Sequence, residues 1–208
     1  MTREQFVREL LTAAESVQRA GAPIHPQGAV AHAANESAFG ASGLTTKANN
    51  LFGIKAMGAH TPYWDGKSVS MPTWEVIDGK HVTIEAAFRA YNTWAESLGD
   101  YADLIKRLYP GAVKGAHRDV TFLAGLFLTG PRKWATDPAA FDKCCRILAQ
   151  YEPVLYDVEG IRRFATAVVL KGLRIADRWV AVSREPVILR GRFAYRVRGD
   201  KLDVDRIG

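Results

Sequence analysis

The chain has 208 residues, 48% of them hydrophobic and 24% charged, which suits one principal domain with an ordinary buried core plus an appendage. Its 28 Lys and Arg against 22 Asp and Glu give a formal charge of +6, which fits an anionic partner such as a wall polymer, a membrane surface or nucleic acid. No apolar run reaches the ~20 residues of a membrane span. The two cysteines, Cys144 and Cys145, are adjacent, so a disulfide framework or a zinc site is not expected; two small buried side chains on a helix are.

Phe6, Leu10, Leu11, Ala14 and Val17 recur at helical spacing and predict an amphipathic helix over residues 3–20, ended by Gly21-Ala22-Pro23. Charges interrupt its apolar residues, so it does not read as a signal peptide, and synthesis in the cytoplasm without a leader is the expectation. A second helix is predicted over 26–39, with Pro26 in its first turn, small residues such as Ala29, Ala31, Ala33 and Ala34 along it, and Gly40 just past its end. One acid, Glu36, falls in its last turn. The negative end of the helix dipole and apolar neighbours both disfavour the charged carboxylate there, so both raise its pKa. A carboxylic acid still protonated near neutral pH is what a glycosidase uses to protonate a leaving sugar oxygen. The ordinary alternative is a solvated surface glutamate.

Residues 40–56 read as a loop. Its core, NNLFGIKA, holds no catalytic acid or base, so it either shapes a groove floor or offers backbone and amide hydrogen bonds to a polar ligand. Asp65-Gly66 and Asp78-Gly79 are turn dipeptides, and the alternating strings between and after them predict a hairpin of residues 73–77 and 81–85, preceded by a shorter strand near Val69. Glu75 shares one strand face with Thr73 and Ile77. By pattern alone it is a solvent-facing acid. Helices follow over Trp94 to Leu108, stopped by Pro110-Gly111, and over 119–128 and 138–151, the last two flanking the loop TGPRKWATDP. Residues 152–208 start helical around Ile161 to Val169 and then turn to strands at WVAV, VIL and FAYRVRGDKLDV. This segment holds 12 Lys/Arg against 8 Asp/Glu and so carries +4 of the formal +6.

The string AxAANESAFGxS around Glu36, followed by NNLFGIKA, resembles the signature of the glycoside hydrolase family 73 N-acetylglucosaminidases, which cut peptidoglycan. The usual form is close to AQAALESGWGxS, then NLFGIK; here Asn35 stands for the common Leu and Ala38-Phe39 for Gly-Trp. The progression Trp64-Asp65-Gly66, Val69, Thr73-Trp74-Glu75 and Ala86-Ala87-Phe88-Arg89-Ala90-Tyr91 also matches the family. The resemblance covers residues 3–151 and does not extend beyond. It implies a predominantly helical, lysozyme-like α+β fold with a small β-hairpin lobe as one cleft wall. The domains are then 1–151, catalytic, and 152–208, a basic appendage for attachment or a C-terminal elaboration.

The resemblance further implies cleavage of the β-1,4 bond between N-acetylglucosamine and N-acetylmuramic acid, with Glu36 as general acid. Glu75 matches the family's second acid and activates water or stabilises the positive intermediate; Asp65, Asp78 and Glu85 rank below it because they do not match. A carboxyl separation of about 5–5.5 Å suits a nucleophile and about 6.5–9.5 Å leaves room for water, although assistance by the substrate's acetamido group escapes that rule. Asn50, Phe52, Gly53, Lys55, Tyr63, Trp64 and Trp134 are the expected glycan contacts. Where the family carries two tyrosines in its Y-A-T-D-P-x-Y segment, this chain has Trp134 and Ala140, so neither supplies a hydroxyl. No cofactor or metal is expected, since acid/base chemistry accounts for the reaction. The expected partner is the peptidoglycan glycan strand, reached in the periplasm or wall through a virion, a holin or an export apparatus, with a phage tail or flagellar assembly as a partner of the C-terminal segment. Competing readings are a muramidase or lytic transglycosylase on a similar fold, a wall-binding component without activity, and a basic nucleic-acid-binding module. The last lacks any binding motif.

Overall fold

The computed structural model describes residues 1–77, 80–135, 137–155, 187–190, 193–198 and 201–206. Helix α1 (Arg3–Arg19) opens on a capping box: the Thr2 hydroxyl accepts the Gln5 N–H at 3.1 Å and the Gln5 side chain accepts the Thr2 N–H at 2.7 Å. It buries Phe6, Val7, Leu10 and Ala14 against helix α2 (Pro26–Ser37). Every residue of α2 from Gly28 to Ala34 is buried, which makes it the central helix of the core. Small residues let its neighbours close in. A Cβ at position 28 would stand 2.8 Å from Phe122 Cδ1 and 3.1 Å from the Asp119 carbonyl oxygen.

The end of α2 differs from the expected 26–39. The helix stops at Ser37, and Ala38, Phe39 and Gly40 follow with φ of 52°, 58° and 80°. Two left-handed non-glycine residues cost about 1–2 kcal/mol each. Ser37 compensates locally: its hydroxyl donates to the Ala33 carbonyl at 2.6 Å and accepts the Gly40 N–H at 2.9 Å. Gly40 itself must be glycine, because a Cβ there would meet the Phe6 ring at 2.9 Å.

The stretch expected to be a loop contains a short helix, α3 (Gly43–Ala48), started by the Ser42 hydroxyl accepting the Thr45 N–H at 3.1 Å. Six residues are too few for a periodic signal. The hairpin is longer than expected. Strands β1 (Ser68–Ile77) and β2 (Lys80–Arg89) pair antiparallel from Ser68↔Arg89 to Ile77↔Lys80, so Val69 belongs to β1 itself. Pro72 interrupts the pattern in sequence but is tolerated, since both strands of a two-stranded ribbon are edges. The Asp78-Gly79 turn lies outside the described residues.

Helices α4 (Trp94–Leu108), α5 (Pro110–Gly115), α6 (Asp119–Phe127), α7 (Ala140–Gln150) and α8 (Glu152–Leu155) complete the body. Pro110, read as a stop, is also the first residue of α5. Cys144 and Cys145 are free and buried on α7. Leu155 is 1% exposed, and its carbonyl accepts the Gln27 side-chain N–H at 3.2 Å, so the helical packing runs past Tyr151. Three strands, β3 (Val187–Arg190), β4 (Phe193–Arg198) and β5 (Lys201–Arg206), form a separate antiparallel sheet in that order, with β3 beside α7. The expected helix around Ile161 and the strand WVAV lie outside the described residues. The result is a predominantly helical α+β body with a small two-stranded lobe.

The lobe is rooted by one buried cluster. Arg89, at the end of β2, donates to both carboxylate oxygens of Asp100 on α4 at 3.0 and 2.8 Å and to the Met57 carbonyl at 2.6 Å. Tyr91 and Thr61 donate their hydroxyls to the same carboxylate at 2.6 and 2.8 Å.

Candidate active site

Glu36 stands on the penultimate residue of α2, at the start of the left-handed turn. Its side chain is 25% exposed to solvent. Burial raises its pKa above the ordinary glutamate value. The Asn35 amide, which donates to Oε1 at 3.1 Å, the Trp134 side chain, which also donates to the carboxyl, and the nearby Lys143 pull it the other way, while Asp137 adds to the rise. Lys143 is itself paired with Asp137 at 2.7 Å. Burial is the dominant cause, as the apolar neighbours in sequence suggested.

The wall beneath Glu36 is aromatic. His32, one turn earlier on α2, is fully buried and has its Nε2 3.8 Å from Glu36 Oε1. The rings of Phe52, Tyr101, Phe127 and Trp134 meet the imidazole edge-on at centroid distances of 5.6, 5.5, 5.1 and 4.7 Å. Phe52 stacks on Tyr101 at 3.8 Å with the planes 5° apart. Burial drives the His32 pKa down to about 3, so the ring is neutral at any working pH.

The residues expected from sequence fall into two groups. Glu36, Phe52 and Trp134 meet in this aromatic cluster. Trp134 is half-buried with its ring packed on the core, and it brings an N–H toward the acid where a hydroxyl was missing. Ala140 is buried at the start of α7. Tyr63 and Trp64 instead line a small open pocket with Thr61, Pro62, Asp65, Ala90, Asn92 and Glu96. Tyr63 is 41% exposed, with its ring over Gly99 of α4; Trp64 is buried, donates its indole N–H to the Lys67 carbonyl at 2.6 Å and lies under the Arg89 guanidinium at 4.1 Å.

Between the groups runs the loop NNLFGIKA. The Asn50 amide donates to the Ile54 and Arg89 carbonyls at 2.9 and 2.8 Å and accepts the Phe52 and Ile54 N–H groups at 3.3 and 3.1 Å. That amide organises the loop, and a substrate would reach it only by opening those bonds. Gly53 is exposed with φ 65°, and space is open where a side chain would point. Lys55 is half-buried and bridges to Phe88 of β2.

Glu75 lies on β1 opposite Val82. The strand rises beside α3, which follows directly on the Glu36 turn; a Cβ at Gly43 would touch the Met71 side chain at 3.4 Å. Two lower-ranked acids are otherwise engaged. Asp65 is exposed and held below the usual range by Lys67 at 2.7 Å, and Glu85 accepts the Ser70 hydroxyl at 2.8 Å. Asp78 lies outside the described residues. His32, Asn35 and Tyr101 were not singled out as site residues from sequence. The available signal for His32 was its spacing, four residues before Glu36 on one helix. Among the described residues no group of three or more His, Cys, Asp or Glu is placed to hold a metal, and no helix is long and apolar enough to cross a membrane.

Residues 12–153 match the family profile described as Glucosaminidase, mannosyl-glycoprotein endo-beta-N-acetylglucosaminidase. The chain is 33% identical over 165 residues to an autolysin of Enterococcus faecalis, an alignment spanning 74% of this chain and 21% of the relative. It is 36% identical over 140 residues to the exo-glucosaminidase LytG of Bacillus subtilis, spanning 64% of this chain and 46% of that protein. The chain thus spans between about a fifth and a half of the length of these curated relatives. Its fold superposes on the catalytic domain of the autolysin Auto from Listeria monocytogenes with a TM-score of 0.63 and 32% identity, covering 76% of this chain and 89% of that domain.

Proposed function

The chain belongs to the glucosaminidase family, and on that premise we propose that it hydrolyses peptidoglycan at the β-1,4 bond between N-acetylglucosamine and N-acetylmuramic acid. Glu36 is the general acid. The observation that carries this reading is its setting: a carboxyl at the end of a buried helix, raised in pKa by burial yet 25% exposed to a ligand. Such a group holds its proton at a pH where an ordinary glutamate has lost it, and gives it to the glycosidic oxygen as the C1–O bond breaks.

Glu75, at the family's position for a second acid, stabilises the positive charge that develops at C1 or activates the incoming water. Half-buried Trp134 and the bare backbone at Gly53 form the floor on which a sugar rests, with buried Phe52 supporting it from behind, while Tyr63 and Lys55 contact more distant sugars and buried Trp64 supports that wall. Chemistry of this kind needs no cofactor. The enzyme acts in the periplasm or cell wall, and its basic C-terminal segment holds it to an anionic wall or to a tail, flagellar or export assembly.

The test is lysis of purified walls by the protein and by Glu36→Gln. General acid catalysis is worth about 10²–10⁴-fold, so the variant should fold and lose lysis by that factor. A folded Glu36→Gln protein with near-normal turnover would remove Glu36 from the role.

A further inference from the structure

Close to Glu36 lies a polar atom that the reaction as described does not use. It is Nε2 of His32, 3.8 Å from Glu36 Oε1. Among the described residues this fully buried nitrogen has no hydrogen-bond partner. Its other nitrogen, Nδ1, lies 2.9 Å from the Tyr101 hydroxyl. Tyr101 is also fully buried, and burial keeps its phenol protonated.

The direction of that bond follows from counting protons. The phenolic proton needs an acceptor, and among the described residues Nδ1 is the one within hydrogen-bond reach of it. Were Nδ1 to donate instead, the phenolic proton would be stranded in the core, and a buried donor left unmade is penalised. Tyr101 therefore donates, Nδ1 is bare, and the neutral ring carries its proton on Nε2. That proton faces Glu36 Oε1, which the Asn35 amide also addresses at 3.1 Å.

We propose that His32 is a positioning residue for Glu36: its Nε2–H, aimed by Tyr101, faces Oε1, so that the transferable proton resides on Oε2. The proposal rests on Glu36 being the general acid. In the reaction the proton passes from Oε2 to the glycosidic oxygen, the C1–O electron pair stays with that oxygen, and Glu36 is left ionised. The His32 Nε2–H then tightens on Oε1 and stabilises the new carboxylate. His32 itself transfers no proton. The other charged or titratable groups facing this pair are Lys143 and Cys144 of α7 and Asp137 before it, and Tyr101 of α4 with Tyr109 behind it.

The experiment is nuclear magnetic resonance on the intact chain, joined to pH–rate profiles. The ¹⁵N shifts of His32 should show a protonated Nε2 and a bare Nδ1 from about pH 4 to about pH 8, since its pKa lies near 3. In His32→Phe the ionised form of Glu36 loses the Nε2–H that the proposal brings onto it, so the Glu36 pKa, read from its side-chain ¹³C shift, should rise by about half a unit or more. The alkaline limb of kcat/KM should move up with it, and kcat should fall about tenfold with KM within about twofold. His32→Gln restores a donor and should recover most of both. Tyr101→Phe leaves the ring in place and should release the tautomer, giving signals of both forms. That readout decides the matter if His32→Phe does not fold. A proton on Nδ1 in the unaltered chain, or an unchanged Glu36 pKa in folded His32→Phe, overturns the proposal. The resonance readouts do not depend on turnover, so a chain that cleaves no peptidoglycan would refute the proposed function without refuting the positioning.

Discussion

Arg89 grips both oxygens of Asp100 at 3.0 and 2.8 Å in a pair that is almost fully buried, and through it the lobe carrying Glu75 is fastened to the body carrying Glu36. Breaking a buried pair by removing one partner costs about 3–5 kcal/mol, because the remaining charge is left uncompensated. Asp100→Asn should therefore lower the free energy of unfolding by that order. It should also lower activity in the fraction that stays folded, since the root of the lobe loosens. Equilibrium unfolding of the two proteins in urea checks this; an unfolding free energy within about 0.5 kcal/mol of the unaltered chain would show that the pair is not what anchors the lobe.

In its proposed role, Glu36 is a site where function works against stability. Its folded pKa lies above the ordinary 4.5, so between those two values the folded state binds more protons than the unfolded state. Stability contributed by Glu36 is thus lost as pH rises through that window and stays lost above it. Glu36→Gln removes the penalty. The variant should melt higher than the unaltered protein at neutral pH, and the gain should vanish below about pH 4.5. Thermal melts across pH decide; a variant that melts lower at pH 7 would mean the carboxylate is stabilised by its donors rather than strained.

The helical body and the acid were legible in the sequence because both rest on strong local signals. Phe6, Leu10 and Ala14 lie at helical spacing, and Glu36 sits near Pro26 and Gly40 punctuation in a run of small residues. What was not legible depends on packing between distant segments. Alternation marks only residues 73–77 and 81–85 of the hairpin, and the pairing of Pro72 with Glu85 shows that the strand continues through an edge proline back to Ser68. Helix α3 is too short to be periodic. The Trp134 contact with Glu36 joins residues 98 positions apart, and sequence offered only stacking as its use. Spacing puts His32 on the same helix face as Glu36, but its burial and its contact with Tyr101, 69 residues away, exist only in the packed structure.

The helical packing reaches Leu155, whose side chain is buried and whose carbonyl is held by Gln27. We expect a chain ending at Leu155 to keep its helical circular dichroism and its cleavage of soluble glycan fragments. It should bind whole walls less well, and with weaker salt dependence than the full chain, because the removed residues 156–208, with 12 Lys/Arg against 7 Asp/Glu, carry +5 of the +6 charge. Loss of cooperative melting on truncation would make the segment part of the catalytic unit, in keeping with β3 lying beside α7.

Glu75 belongs to the strand that rises beside α3, and its assigned task is to meet positive charge in the transition state. An interaction realised only there lowers kcat when removed and leaves KM alone. Glu75→Gln should cut kcat by about 10–10³-fold, less than Glu36→Gln if the substrate's acetamido group shares the work. Kinetics on a defined muropeptide oligomer measure this. An unchanged kcat would take Glu75 out of the mechanism and turn attention to Asp78.

The bond that is cut is the most direct test of the account. Purified peptidoglycan digested by the protein, reduced with borohydride and analysed by mass spectrometry reports which sugar was left at the new reducing end. Cleavage as proposed leaves N-acetylglucosamine there, recovered as its alditol, and Glu36→Gln yields none. Fragments ending in reduced N-acetylmuramic acid, or in a 1,6-anhydro sugar, would contradict the assignment and make the protein a muramidase or a lytic transglycosylase.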